Sequence, residues 1–331
     1  MSDSWPPYSN NERYPEDRRT SSPEDAAGNA PFHSEDSPYR EAGVPPEPEV
    51  IRAEFATQPP QPSRARWVVP LILFLLTCLS TFAAGQGFQR PLEGLKYSIC
   101  IMAVLLSHEM GHFLQALRYG APATLPFFLP MPFSPIGTFG AVIAMDTRRL
   151  DRRALFDIGI TGPLAGLIPT LVFTVVGIQQ SQVVPVVRGP AFMELGEPLL
   201  FTYLTQWIKG PLPDGYTLLV GPMAFAGWVG MLITALNLIP IGQLDGGHIL
   251  YALLGKRANA LGMLLLLAAI AAVVIFGYWG WLLMIFLLGL LGPEHPPTAN
   301  DEAPLGWGRV ILGWLVLAFI IVGFTPEPFK L

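Results

Sequence analysis

Eighteen residues from Trp67 to Ala84 carry no charge and are mostly apolar, a run long enough to cross a bilayer as a helix. Similar stretches follow at about 97–119, 154–178, 217–239, 258–292 and 305–324, the fifth long enough for two spans turning at "GYWG". In lipid, backbone polar groups must be satisfied within their own segment, so each run is expected to be helical. The expected fold is an all-α polytopic integral membrane protein of about six to seven transmembrane helices. The 51% hydrophobic content agrees with that class.

Charge divides the chain further. Residues 1–65 hold twelve acidic and six basic side chains among many Pro, Ser and Glu. They are expected to form a disordered cytoplasmic tail, because such a segment buries too little apolar surface to offset its ordering entropy. The tail's net charge of −6 (6 − 12) exceeds the whole chain's −5, so the remainder is near neutral and gives no sign of a nucleic-acid partner. The late start of the first apolar run argues against a cleaved signal peptide. Arg64 and Arg66, the cluster Arg148, Arg149, Arg152 and Arg153, and Lys256 with Arg257 mark the cytoplasmic ends of spans. This predicts a multi-pass protein of the cell (inner or plasma) membrane. The expected divisions are the tail (1–65), a first helix and loop (66–90), a membrane-embedded core (91–256) and C-terminal helices (257–331). Residues 179–215 read as a modest extracytoplasmic insertion. Cys78 and Cys100 fall in apolar spans and read as small buried hydrophobes.

Residues 121–148 break the helical pattern. Pro122, Pro126, Pro130, Pro132 and Pro135 forbid a regular helix, yet "LPFFLPMPF" is too apolar for an aqueous loop. "GTFGAVIAM", with Gly137 and Gly140, has the punctuation and residue types of a short strand. A small membrane-associated β hairpin or re-entrant element is expected, because non-helical backbone at membrane depth must be covered by protein or line a cavity.

The chemistry is concentrated in "LLSHEMGHF". His108 and His112 project from one helix face a turn apart, able to share a tetrahedral metal ion, and Glu109 stands where its carboxylate can reach a water on that metal. This HExxH spacing supplies two zinc ligands and a general base. The bland reading is a set of satisfied polar groups joining helices, or a proton relay. A third ligand is needed. Gln115 and Arg118 exclude the metzincin extension, and no glutamate occurs between His112 and Glu194. Asp146, Asp151 and Asp157 stand in or beside the basic stretch, where pairing with arginine or helix capping accounts for them. Asp245, at a helix break and followed by two glycines, fits better; His248 is an alternative. Asn237, eight residues before Asp245, could donate to a developing oxyanion or hold the substrate backbone.

"HEMGH" in one span and "NLIPIGQLDGG" in a later one resemble the paired motifs of the site-2 protease family of intramembrane zinc metalloproteases. "PIGTFGAVI", "FDIGITGPLAG" and the tail "HPPTANDEAPLG" resemble further segments of a bacterial and plastid-related branch. The resemblance covers roughly residues 90–330 and leaves no room for the PDZ or CBS modules that some members carry. It implies one Zn2+ per chain and cleavage of a transmembrane or membrane-proximal segment of a membrane-anchored protein; the charge pattern, with His108 slightly past the midpoint of its span, puts the active site toward the cytoplasmic side. It also implies a possible prior cut by a site-1-type protease. An edge strand in 136–144, including Gly137 and Gly140, could pair with an unwound substrate. The competing reading is a non-proteolytic membrane protein, a metal or proton transporter or a scaffold. The presence of all four of His108, Glu109, His112 and Asp245, without internal repeat symmetry, weighs against it.

Overall fold

The computed structural model describes residues 65–186 and 194–330. The expected acidic tail thus lies outside the described residues, except for its last position. Helix α1 covers Ala65–Ala84, α2 Pro91–Arg118 and α3 Arg152–Gln180. Each begins or ends for a local reason. Pro91 opens α2 at a position where its missing N–H costs nothing. The Asp151 carboxylate caps α3, accepting from the Ala154 N–H at 2.7 Å. Asp146 accepts from the Arg148 N–H and pairs with Arg148 and Arg149. With Asp157, which pairs with Arg309, all three upstream aspartates have the capping or pairing roles expected of them.

After α3 the chain forms β3 (Gln182–Pro185), β4 (Glu194–Leu195), α4 (Leu199–Lys209) and β5 (Tyr216–Leu219). Helix α4 buries Phe201 and Thr205 and exposes an uncharged stripe of Leu199, Tyr203 and Trp207. β5 occupies residues that the sequence pattern gave to the next span. It pairs antiparallel with β3, so helix α5 starts only at Pro222 and ends at Asn237. The remaining elements are α6 (Asp245–Leu254), α7 (Arg257–Phe276), α8 (Leu282–Leu291), α9 (Trp307–Leu317), α10 (Phe319–Gly323) and β6 (Phe329–Lys330), which pairs with β4. Among the described residues, four helices are able by length and composition to cross a membrane: α1, α2, α3 and α7. Pro222–Asn237, Trp279–Leu290 and Trp307–Gly323 are shorter apolar helices.

The centre is the packing of α2 on α3 and of α3 on α5. Small residues bring the latter pair close: a methyl group on Gly227 or Gly230 would lie 2.2 Å or 2.5 Å from the hydroxyls of Thr174 and Thr170. Tyr97, Ile101, Trp228 and Met231 are fully buried in one cluster beside this contact.

The proline-rich stretch forms the expected hairpin, β1 (Phe127–Met131) against β2 (Gly137–Val142). Phe128 pairs with Ala141 but Pro130 with Thr138, so β2 carries an extra residue and bulges at Phe139–Gly140. Gly140 has φ +103°, and its N–H bonds to the Thr138 hydroxyl at 3.0 Å instead of the ladder. The hairpin is fastened along α1 and α2. The Ser80 hydroxyl donates to the Gly137 carbonyl, and the Tyr97 hydroxyl donates to the Ile136 carbonyl at 2.7 Å. Phe128 and Ala141 share a buried cluster with Met102 and Leu105 of α2.

Between α8 and α9, residues 292–306 form a non-helical strap against α6 and the start of α3. The Gly242 N–H donates to the Pro293 carbonyl at 3.2 Å, and the Ala299 N–H donates to Leu150 at 2.8 Å. The Arg152 N–H reaches the Asn300 carbonyl at 3.2 Å, and the Tyr251 hydroxyl donates to Asp301 at 2.9 Å. These bonds satisfy polar backbone that would otherwise be costly beside apolar helices.

Candidate metal centre

His108 and His112 lie on the face of α2 turned toward α3, and both are buried. Burial of two imidazoles needs space and partners. Space comes from α3: a methyl group on Gly162 would lie 1.9 Å from His112 Nε2, and one on Gly166 would lie 3.0 Å from His108 Cβ. Gly162 and Gly166, at the GxxxG spacing that in sequence signals close helix packing, therefore house the two rings. The orienting partner is the backbone. His112 Nδ1 lies 2.7 Å from the Ile158 carbonyl, which can only accept, so Nδ1 carries the proton and the neutral ring turns the Nε2 lone pair inward.

Asp245 comes from the far side of the helix break. After α5 ends, Gly242 turns the chain with φ +58°, and α6 begins at Asp245 itself. Gly246 and Gly247 lie against the backbone of the break: a methyl group there would sit 1.8 Å from the Leu238 carbonyl or 2.2 Å from that of Gly242. They let α6 start beside the end of α5. Asp245 Oδ2 is then 3.0 Å from His108 Nε2, and Oδ1 is 3.2 Å from His112 Nε2. The two Nε2 atoms are 3.2 Å apart.

Those three separations test whether the residues suit a metal. A tetrahedral ion with metal–nitrogen bonds of about 2.0–2.1 Å holds its ligand atoms about 3.3 Å apart. The ring nitrogens stand that far apart, each lies near that distance from a different oxygen of the Asp245 carboxylate, and one ligand atom from each residue falls within 4.8 Å of the others. Two inward lone pairs at such a distance repel unless a proton or cation lies between them. Among the described residues, His108, His112 and Asp245 are the one group of three or more with this potential. Glu109 is adjacent and buried, and among the described residues no side chain or backbone group hydrogen-bonds its carboxylate. The Asn237 amide lies 3.3 Å from His108 Nε2. These five groups meet although His108 and Asp245 are 137 residues apart.

Residues 96–277, more than half of the chain, match peptidase family M50. The chain belongs to that family, the site-2 proteases. The match begins just before the fully buried Tyr97 and includes both histidines, the hairpin, the break and Asp245. Among curated relatives, the Arabidopsis thaliana protein named "Probable zinc metalloprotease EGY1, chloroplastic" is 27% identical over 80% of this chain and 53% of its own length. The Oryza sativa subsp. japonica protein of the same name is 30% identical over 78% of this chain and 50% of its own. "Probable zinc metalloprotease EGY2, chloroplastic" of Oryza sativa subsp. indica is 30% identical over 76% and 45%. The chain thus spans about half the length of these relatives. No solved structure matches it.

Other sequence candidates sit differently around this M50 centre. His248, the alternative third ligand, turns its Nδ1 to His295 Nε2 at 2.7 Å and stands outside the group of three. Gly137 is committed to the fold: its N–H bonds to the Ser134 carbonyl and its own carbonyl takes the Ser80 hydroxyl. Gly140 sits at the bulge, in the strand that shares a cluster with Leu105, one turn before Glu109 on α2. Asp157 pairs with Arg309 of α9 through two bonds of 2.7 Å and 2.8 Å. Sequence reasoning did not find the Ile158 carbonyl, which no side-chain pattern signals. It also missed His295, whose scarcity was the available clue: four of the five histidines in the chain gather around α6 and α2.

Proposed function

We propose that this chain is an intramembrane zinc endopeptidase that cuts a transmembrane or membrane-proximal segment of a membrane-anchored protein. The observation that carries the reading is the grouping of buried His108 and His112 with half-buried Asp245 beside Glu109, the histidines and the glutamate standing on α2, a helix apolar and long enough to cross a bilayer. His108, His112 and Asp245 would hold one Zn2+, which when bound acidifies a water and polarises a carbonyl. Membership of M50 and relatives named zinc metalloproteases support this assignment.

The chain's own groups account for the rest of the reaction. Glu109 is the general base: a carboxylate without an internal partner takes a proton from the attacking water and returns it to the departing amine. The Asn237 amide, beside His108, donates to the substrate carbonyl oxygen or its neighbouring backbone. A helical substrate must unwind before its carbonyl is accessible, and the hairpin offers backbone for it to pair with. Among the described residues each of these strands pairs on one side only, and the strand that carries the bulge at Gly140 packs by Ala141 near Leu105, one turn before Glu109 on α2.

Seven spans would result if the three shorter apolar helices crossed the membrane beside the four long ones. The arginines at 148–153 and Lys256 with Arg257 support a cytoplasmic-side active site in a cell membrane, with 91–256 as its core and 1–65 as a tether. A prior cut by another protease would suit a site enclosed by these helices. The test is reconstitution with zinc and a library of transmembrane peptides, comparing wild type with Glu109→Gln. Cleavage by wild type alone is expected, with the variant down by at least about 1000-fold, the upper part of a general base's range. Equal cleavage by both, or none by either, removes the reading.

A further inference from the structure

We propose that His295, acting through His248, is a positioning residue that sets the rotation of α6 and thereby the aim of the Asp245 carboxylate. The inference rests on the reading of His108, His112 and Asp245 as metal ligands.

The argument begins with protons. His295 Nδ1 lies 2.6 Å from the Pro296 carbonyl, an acceptor only, so Nδ1 carries the hydrogen. In the neutral, buried ring Nε2 is then the acceptor, and His248 Nδ1–H donates to it across 2.7 Å. One imidazole is thus oriented by a carbonyl and orients the next. The same ring is also stacked on Tyr251, with centroids 4.4 Å apart and planes at 24°. His248 and Tyr251 are three residues apart on α6, so the helix holds His295 at two points: an edge contact through His248 and a face contact through Tyr251.

The strap holds His295 in turn. The Asn259 side chain of α7 accepts from the His295 N–H at 3.0 Å and donates to its carbonyl at 3.3 Å. On the opposite side His248 is wedged on α3, where a methyl group on Gly159 would come within 3.1 Å of its Cβ. His248 follows Asp245 by three residues, so fixing one fixes the other's direction from the helix axis. A rotation of roughly 20° would carry a carboxylate about 5 Å off the axis through roughly 2 Å. Metal sites tolerate about 0.2 Å. The Gly246 and Gly247 contacts set how closely α6 approaches the break; the His248–His295 bond sets its angle.

The test uses the full chain in lipid nanodiscs with Co2+ as a spectroscopic probe. His295→Leu is expected to weaken Co2+ binding by about 10–100-fold, the usual effect of losing a residue that orients a ligand, and to change the cobalt visible absorption. His295→Gln, whose amide oxygen can take the His248 N–H, should recover most of both. Tyr251→Phe keeps the stacked ring but releases Asp301, and should match wild type. His295→Asn, too short to reach His248, should behave as the leucine variant and serves if that variant does not fold. Wild-type affinity and spectrum in both the leucine and asparagine variants would overturn the proposal. So would an equal loss in Tyr251→Phe, which would assign the effect to the strap as a whole. Equal Co2+ binding by wild type and Asp245→Ala would instead remove the metal reading beneath it.

Discussion

At the residue scale, the candidate centre depends as much on missing atoms as on ligands. His112 Nε2 occupies space that any side chain at position 162 would claim. Gly162→Ala is therefore expected to displace the imidazole by more than 1 Å and lower zinc affinity at least about tenfold. Gly166→Ala, whose nearest contact is 3.0 Å, should show a smaller loss; titration with a competing chelator measures both. Asp245→Ala should bring bound zinc well below one per chain, by metal analysis after desalting. The histidines, the glutamate and the aspartate were legible because their spacing has a chemical meaning on a helix. The need for glycine opposite His112 was only half legible. The 162/166 spacing signalled close packing, but which helix would lie there, and which side chain it would carry, depends on tertiary contact.

At the element scale, the last spans are tied to the core by polar bonds rather than by apolar contact alone. Arg309 of α9 forms a two-pronged pair with Asp157 of α3, and the Tyr119 hydroxyl donates to the same carboxylate at 2.5 Å. Arg309→Ala would leave Asp157 short of its cation in a largely buried place. A loss of about 1–3 kcal/mol is expected, between the roughly 0–1 kcal/mol of exposed pairs and the roughly 3–5 kcal/mol of broken buried ones, because Arg309 is 39% exposed. Thermal unfolding in detergent would report it as a lowered midpoint. The helices themselves were read from apolar runs with boundaries a few residues off, as at α2, which begins at Pro91 and not near 97. The larger miss was β5. "YTLL" continues the apolar run that follows it, and only its pairing with β3, distant in sequence, makes it a strand. The strap is polar in sequence, but its packing on α6 and its neighbours was not legible, because its hydrogen bonds reach residues 150, 152, 242, 248, 251 and 259.

At the scale of the whole molecule, a centre built from α2 and α6 and braced by the strap couples metal to overall stability. An ion bound only by the folded chain stabilises it by RT ln(1 + [L]/Kd), about 2.7 kcal/mol at one hundred times Kd. Stripping zinc with a chelator should lower the unfolding midpoint of wild type and leave Asp245→Ala unchanged, which a paired melting experiment resolves. The arrangement also has a consequence in time. Chains are made and inserted from the N-terminus, and His108 and His112 enter the membrane well over a hundred residues before Asp245 exists. His295 follows later still, with α7 and α8 made in between. A half-synthesised chain therefore holds an incomplete ligand set. The ligand set closes only once residue 245 has been made, and the proposed brace only after residue 295, so any shorter translation product carries no complete metal site.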